Sequence, residues 1–317
     1  LEGVLTTDSV ELERDRLRTD LLLEEEVLTE VGQEVLLRGM YENRAIYLPE
    51  EGPLENIMQI DRASLENYYR NAYHPRAMTL VLVGSFDGEK EQALIDRIKT
   101  FLGALYRDYF NGQPKTNRTG PMFKFPADYG KAPVLAKQRL ELPSKVSAFY
   151  LGYKKPYPEG AKSYGGRELV YARLAGALVT EMLIGEGSNC FEEFYEQGLI
   201  DESLSIQYYV EQGYSHLVIR GDSKQEERAA ELLADRLEEY IRLGAYEEKR
   251  MQEISRAKMG VFLRQMDDVK TLGAMVANLR SYRLEFSDYA SLFNQITGRD
   301  LVEELSFVKE ENRALVL

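Results

Sequence analysis

The sequence predicts an α+β protein of two homologous lobes, the first incomplete at its N-terminus. Three observations carry this reading. The length, 317 residues, suggests about two domains. Five strand candidates gather after residue 133, with a single one before it. A repeat also runs through the chain: Ile60 and Ile296 are each followed five residues later by a leucine, an offset of 296 minus 60, or 236.

Taken in order, Asp8 to Tyr41 reads as a long helix, with apolar residues at Val10, Leu17, Leu21, Val27, Leu28, Val31 and Val35 among dense charges, and with Asp8 or Ser9 as its cap. A looser segment holding Pro49, Gly52 and Pro53 leads to a helix at Ala63 to Tyr73, stopped by His74-Pro75. Met78 to Val83 reads as a buried strand, and Gly88 to Tyr106 as a third helix. Between Arg107 and Pro133 there is no Leu, Ile or Val, while four of the ten prolines fall there, which marks a linker.

Strands follow at Val134 to Leu142 and Val146 to Tyr153, then helices at Gly166 to Ile184 and Asn189 to Gln197. Ser203 to Val210 and His216 to Arg220 read as a hairpin turning at Gln212-Gly213. Five helices come next: Gln225 to Leu243, Tyr246 to Gln265, Val269 to Arg283, Ser287 to Gln295 and Arg299 to Phe307. The apolar run Ala314 to Leu317 closes the chain and aligns with Met78 to Val81 at the 236-residue offset. The same offset places the equivalent of Val134 about 100 residues before Leu1. The first lobe, residues 1–106, thus lacks its front, residues 107–133 link the lobes, and residues 134–317 form the second. Such a chain is a fragment or takes strands from a partner.

Composition narrows the function. With 40 basic and 53 acidic residues the net charge is -13, which repels phosphate backbones and anionic lipid, so neither nucleic acid nor membrane is expected as a partner. The longest apolar stretch, Leu174 to Thr180, is far too short to span a bilayer. The single cysteine, Cys190, allows no intrachain disulfide and fits a reducing, cytoplasmic setting. Cys190 stands beside Phe191 with no sequence-local base, which suggests packing. The two histidines, His74 and His216, form no H-x-x-E-H or H-E-x-x-H arrangement. Gly84-Ser85-Phe86-Asp87-Gly88 and Gly221-Asp222-Ser223 each join a strand to a helix without a P-loop ending, so Asp87 and Asp222 or Ser223 read as helix caps. Asn117-Arg118-Thr119 matches a glycan acceptor triplet of a kind common by chance. Glu13 and Asp20, seven residues apart, share one helix face; they suit a metal's surroundings or simply a solvated acidic face.

Leu65-Glu66-Asn67-Tyr68-Tyr69 through Tyr73-His74-Pro75-Arg76-Ala77-Met78, followed by Leu80-Val81-Leu82-Val83-Gly84-Ser85-Phe86-Asp87, resembles the M16 (pitrilysin or insulinase-like) zinc peptidases. Phe194-Tyr195-Glu196-Gln197-Gly198-Leu199-Ile200-Asp201 and Glu211-Gln212-Gly213-Tyr214 resemble the second lobe of bacterial members. The resemblance covers nearly the whole chain and implies paired α+β lobes. It also implies zinc held by two histidines of an H-x-x-E-H helix and a glutamate farther along, with the motif's glutamate activating water. A four-lobe chamber made by two halves or two subunits would hold an extended peptide.

On this pattern Glu13 matches a supporting acid and Asp20 the third zinc ligand, with Asp in place of the usual Glu. No H-x-x-E-H occurs in the 317 residues, so the resemblance assigns this chain no catalytic residue and no zinc of its own. The implied role is the non-catalytic portion of an M16-like zinc peptidase, paired as a homodimer or as a heterodimer with another M16-like subunit. The alternative is a degenerate, inactive subunit with a structural or peptide-binding role, and the rival outside the family is a tandem α+β binding module.

Overall fold

The strands after residue 133 form one mixed sheet. They are β1 (Lys137–Gln138), β2 (Ala148–Lys154), β3 (Ser205–Val210), β4 (Ser215–Asp222) and β5 (Arg313–Val316), in spatial order β1-β5-β2-β4-β3. The computed structural model describes residues 5–24, 28–42, 44–47, 52–73, 78–110, 133, 136–142, 146–157, 165–244 and 247–317. β1 pairs parallel to β5, and the other pairs are antiparallel. The β3–β4 hairpin turns as its Gln212-Gly213 pair suggests, with the Glu211 amide donating to the Tyr214 carbonyl at 2.9 Å.

Alternation along the strands makes two faces. Phe149, Leu151, Tyr153, Leu217 and Ile219 point into the main core, where α6 (Arg167–Ile184) and α8 (Glu226–Leu243) cover them. Fully burying each such aliphatic or aromatic side chain contributes about 1.5–3 kcal/mol. Helices α7 (Asn189–Glu196), α9 (Glu248–Gln265), α10 (Val269–Ser281), α11 (Phe286–Gln295) and α12 (Gly298–Glu304) complete that layer around α6, which is apolar on nearly all sides for this reason. Two polar links tie the layers. Glu304 accepts a hydrogen bond from the Tyr208 hydroxyl and from Lys155 Nζ at 2.8 Å, while the Arg173 guanidinium donates to the Val210 carbonyl at 3.0 Å and to Tyr282 Oη at 2.7 Å.

A capping box starts α12. Thr297 Oγ1 contacts Asp300, and the Thr297 amide donates to the Asp300 carboxylate at 2.7 Å. Thr297→Ala is expected to lower unfolding free energy by about 1 kcal/mol in urea titration, because the first turn of α12 loses an acceptor.

The opposite face, formed by Tyr150, Val218, Ala314 and Val316, lies under α2 (Leu28–Met40), which brings Leu36, Met40 and the following Tyr41 onto it. Close approach is allowed by two glycines. A Cβ at Gly32 would fall 2.3 Å from the Tyr150 ring, and one at Gly152 would fall 2.8 Å from Met40 Sδ. No helix of the described residues is long and apolar enough to cross a membrane.

The N-terminal half departs from the sequence expectation in two places. The helix expected over Asp8 to Tyr41 is described as α1 (Thr7–Glu24) and α2, with residues 25–27 outside the described set. Its cap is Thr6, not Asp8 or Ser9: the Ser9 amide donates to Thr6 Oγ1 at 3.1 Å and the Thr6 amide to Ser9 Oγ at 2.9 Å. Met78 to Val83 belongs to no helix or sheet, and Met78, Leu80 and Leu82 are exposed at 62%, 61% and 51%. An apolar run forms a strand only where another strand satisfies its backbone, and none of the described residues pairs with this one. Of the remaining helices, α4 (Arg62–Ala72) and α5 (Gly88–Phe110) lie close to where the sequence puts them, while α3 (Leu54–Ile57) falls in the segment read as loose. α4 is capped by Asp61, which accepts from the Ser64 amide at 2.8 Å. The stop at His74-Pro75, most of the linker and Asn117-Arg118-Thr119 lie outside the described residues.

Candidate functional site

Helix α1 carries the two acids singled out for metal binding. Seven residues apart, Glu13 and Asp20 do share a face, and Arg16 sits between them, its guanidinium 3.8 Å from each carboxylate. Both acids are exposed, at 58% and 53%, so the pairs are weak and screened. α1 is held to the end of α3 by Arg14, which donates to the Met58 and Ile60 carbonyls at 3.3 and 3.2 Å.

A zinc site needs three or four converging donors with carboxylate oxygens at about 2.0–2.2 Å. Here the Arg16 guanidinium lies between the two acids and competes with a cation for them. No three His, Cys, Asp or Glu side chains gather to hold a metal among the described residues. The described donor set therefore does not fit zinc, and no catalytic step can be built on it. His74 lies outside the described residues.

His216 does not turn toward α1. It lies in β4, 3% exposed, opposite Lys154 of β2 in the register, on the face that α2 covers. Tyr41, at the end of α2, brings its hydroxyl to 3.0 Å from both the Ser215 carbonyl and His216 Nδ1. A carbonyl only accepts, so a hydroxyl donating to Ser215 and accepting from Nδ1–H satisfies both contacts. The buried Lys154 ammonium lies 4.9 Å from the Tyr41 ring centroid, and the rings of Tyr209 and Tyr214 flank the imidazole at 5.0 and 6.1 Å. Tyr157 adds a 2.7 Å hydrogen bond to Ser215 Oγ. Burial pushes the imidazole down to about 3, so it stays neutral, is a poor base near neutrality and is sealed from substrate. This cluster clasps α2 to the sheet; it is not a reaction centre.

Cys190 stands on α7, partly buried, and burial pushes its thiol up to about 11, which keeps it protonated and inert at neutral pH. Asp87 caps α5 through the Lys90 amide at 3.0 Å, and hydrogen bonds from Lys90 lower its carboxyl. Ser223 Oγ accepts from the Gln225 amide at 3.1 Å, while Asp222 instead bonds Arg220. Sequence reasoning missed the partners of His216, because a lysine and three tyrosines spread over residues 41 to 214 share no local pattern. Only the strand register brings Lys154 beside His216.

Comparison with known proteins identifies the family. The model described as the peptidase M16 inactive domain matches residues 59–261, more than half of the chain. The uncharacterized zinc protease YmfH of Bacillus subtilis (strain 168) is 24% identical over 269 residues, which are 84% of this chain and 58% of that protein. The chain therefore spans little more than half the length of this curated relative. Among solved structures, an M16-like peptidase from Alicyclobacillus acidocaldarius superposes with a TM-score of 0.78 at 18% identity, covering 98% of this chain and 70% of that one. The peptidase M16 inactive domain from Pseudomonas fluorescens gives 0.71 at 17%, over 98% and 70%. The ferredoxin protease FusC, solved in complex with Arabidopsis ferredoxin, gives 0.59 at 15%, over 99% and 34%. These likenesses show the fold, and the family model over residues 59–261 shows that this chain belongs to the M16 peptidase family.

Proposed function

We propose that this chain acts as the non-catalytic portion of an M16-like zinc peptidase. The observation that carries the reading is the match of residues 59–261 to the inactive domain of the family, in a sequence of 317 residues without H-x-x-E-H. In the assembled enzyme, zinc would be supplied with its histidines from outside these residues and would activate water for peptide hydrolysis. The present chain would contribute the sheet, its helical layers and a wall for an extended peptide. Residues 1–106 would belong to a first lobe, 107–133 to a linker and 134–317 to a second lobe. Helix order supports this division: α1 and α2 are followed by the short helices α3 and α4, as α9 and α10 are followed by α11 and α12. A second M16-like subunit, identical or different, would complete the chamber. The ferredoxin protease FusC, solved in complex with Arabidopsis ferredoxin, supports protein or peptide partners for this fold.

The Arg16 guanidinium between Glu13 and Asp20 favours a second reading, a degenerate subunit that has lost metal binding. Zinc content of the full-length protein separates the two: about one ion per chain for a peptidase portion, none for a degenerate subunit. Both readings expect the purified 317-residue chain, supplied with zinc, to leave a mixture of quenched fluorescent peptides uncut. Cleavage that 1,10-phenanthroline abolishes would overturn them.

A further inference from the structure

A cavity of about 450 Å³ opens on the α2 side of the sheet, beside Gly32 and the ends of β2, β4 and β5, a volume in the range of small-molecule sites. Leu140, Ala148 and Val316 give it apolar walls, and Tyr150 stands among them. Tyr150 is 6% exposed, yet its hydroxyl has no hydrogen-bond partner among the described residues. A buried tyrosine ordinarily finds one. Among the described residues, the side-chain polar atoms that are both sealed and unpartnered belong to Arg14 and Arg220, so the Tyr150 hydroxyl is open to the space its side chain lines. Gly32 leaves it uncovered: a Cβ built there would fall 2.8 Å from Tyr150 Oη.

Charge selects the ligand. Arg220 donates to Asp222 at 2.9 Å, and Arg139 donates to Glu226 and Glu227 at 3.2 and 3.4 Å, so both guanidiniums at the cavity are already neutralised. Glu141, exposed at the mouth, has no cationic partner among the described residues. The unpaired charge there is negative, on a chain whose net charge is -13, so an organic anion is repelled and a cation drawn in. The apolar walls favour a cation that carries a hydrocarbon body.

We propose that this cavity binds a small amphipathic amine. Its apolar body lies against Leu140, Ala148 and Val316, its ammonium meets Glu141, and a polar group at its other end hydrogen-bonds Tyr150 Oη, which can donate or accept. The site is independent of the zinc-peptidase reading, so binding is measured in EDTA and its failure would leave that reading untouched.

The probe is tyramine, with an ammonium at one end of an aromatic body and a phenol at the other. Phenethylamine lacks the phenol, and hydroxyphenylpropanoate carries a carboxylate in place of the ammonium. Each is titrated against the 317-residue chain by saturation-transfer NMR. Tyramine is expected to saturate below about 5 mM, phenethylamine to bind about fivefold more weakly, and the propanoate to give no saturable signal. Tyr150→Phe removes an oxygen that bonds no described residue, which spares the fold. It is expected to lower tyramine to the affinity of phenethylamine and to leave phenethylamine unchanged. Glu141→Gln, at an exposed position, is expected to weaken both amines about fivefold. No saturation by tyramine at about 5 mM, equal binding of the propanoate, a preference for tyramine that survives Tyr150→Phe, or amine binding unchanged by Glu141→Gln would each overturn the proposal.

Discussion

Gly176→Ala is expected to lower the unfolding free energy by about 3 kcal/mol, at the upper end of what overpacking costs. The added methyl would stand 1.7 Å from Cδ1 of the Tyr208 ring, where α6 crosses β3. That ring is held in place: its hydroxyl bonds Glu304, and it stacks on Phe307 with centroids 6.2 Å apart. Helix propensity favours alanine over glycine by about 1 kcal/mol, so a surface glycine of α6 would respond in the opposite direction. Urea unfolding followed by far-UV circular dichroism reads the difference, and combining the change with Tyr208→Leu is expected to restore much of the loss. An unshifted midpoint for Gly176→Ala would refute the packing of α6 on β3 described above.

The second large effect is one of pH. Unfolded, His216 titrates near 6.5; folded, burial holds it at about 3. Above pH 6.5 neither state binds a proton and this residue gives no slope. Below it the unfolded chain takes up a proton that the folded chain refuses, so stability falls with falling pH, by up to about 1.4 kcal/mol per unit, until the folded imidazole is itself protonated near 3. The groups facing it reinforce this direction, since the Lys154 ammonium would repel an imidazolium, while Tyr41, Tyr209 and Tyr214 are neutral. Lowered carboxyls such as Asp61, Asp87 and Asp268 add their own losses only nearer their ordinary range, leaving about pH 6.5 to 4.5 as the window that isolates His216. Urea midpoints across that window are expected to fall for the natural protein and to stay nearly level for His216→Gln. Parallel slopes for the two proteins would count against a buried neutral imidazole.

Much of the second half was legible because its signals are local. The hairpin carries Gly213 between alternating strands, α12 begins at a Thr297/Asp300 box, and β5 ends an apolar run. What was not legible depends on partners far away in the chain. The periodicity of residues 28–40 announces an apolar face but not that the face meets Tyr150, Val218, Ala314 and Val316. Lysine is rarely buried, so nothing at Lys154 signals its place beneath the Tyr41 ring. Met78 to Val83 failed for the converse reason: its composition suits a strand, but composition cannot supply the neighbour a strand requires. At the candidate site, the seven-residue spacing of Glu13 and Asp20 correctly gave one helix face, whereas the position of Arg16 between them shows how readily such a face is neutralised by its own helix.

The order of the strands also governs when the fold can form. β5, at residues 313–316, is an interior strand of the sheet, lying between β1 and β2, whose residues precede it by more than 150 positions. During synthesis, β2, β4 and β3 can assemble early, but the register of Leu315 against Leu151 and Lys137 waits for residues 313–316 to emerge. Until then the edge of β2 is bare, and loop closure over that distance makes the final step slow. A nascent chain in this state offers an open sheet edge for as long as translation of residues 223–312 lasts, and an unpaired edge of this kind is a template for pairing with other chains.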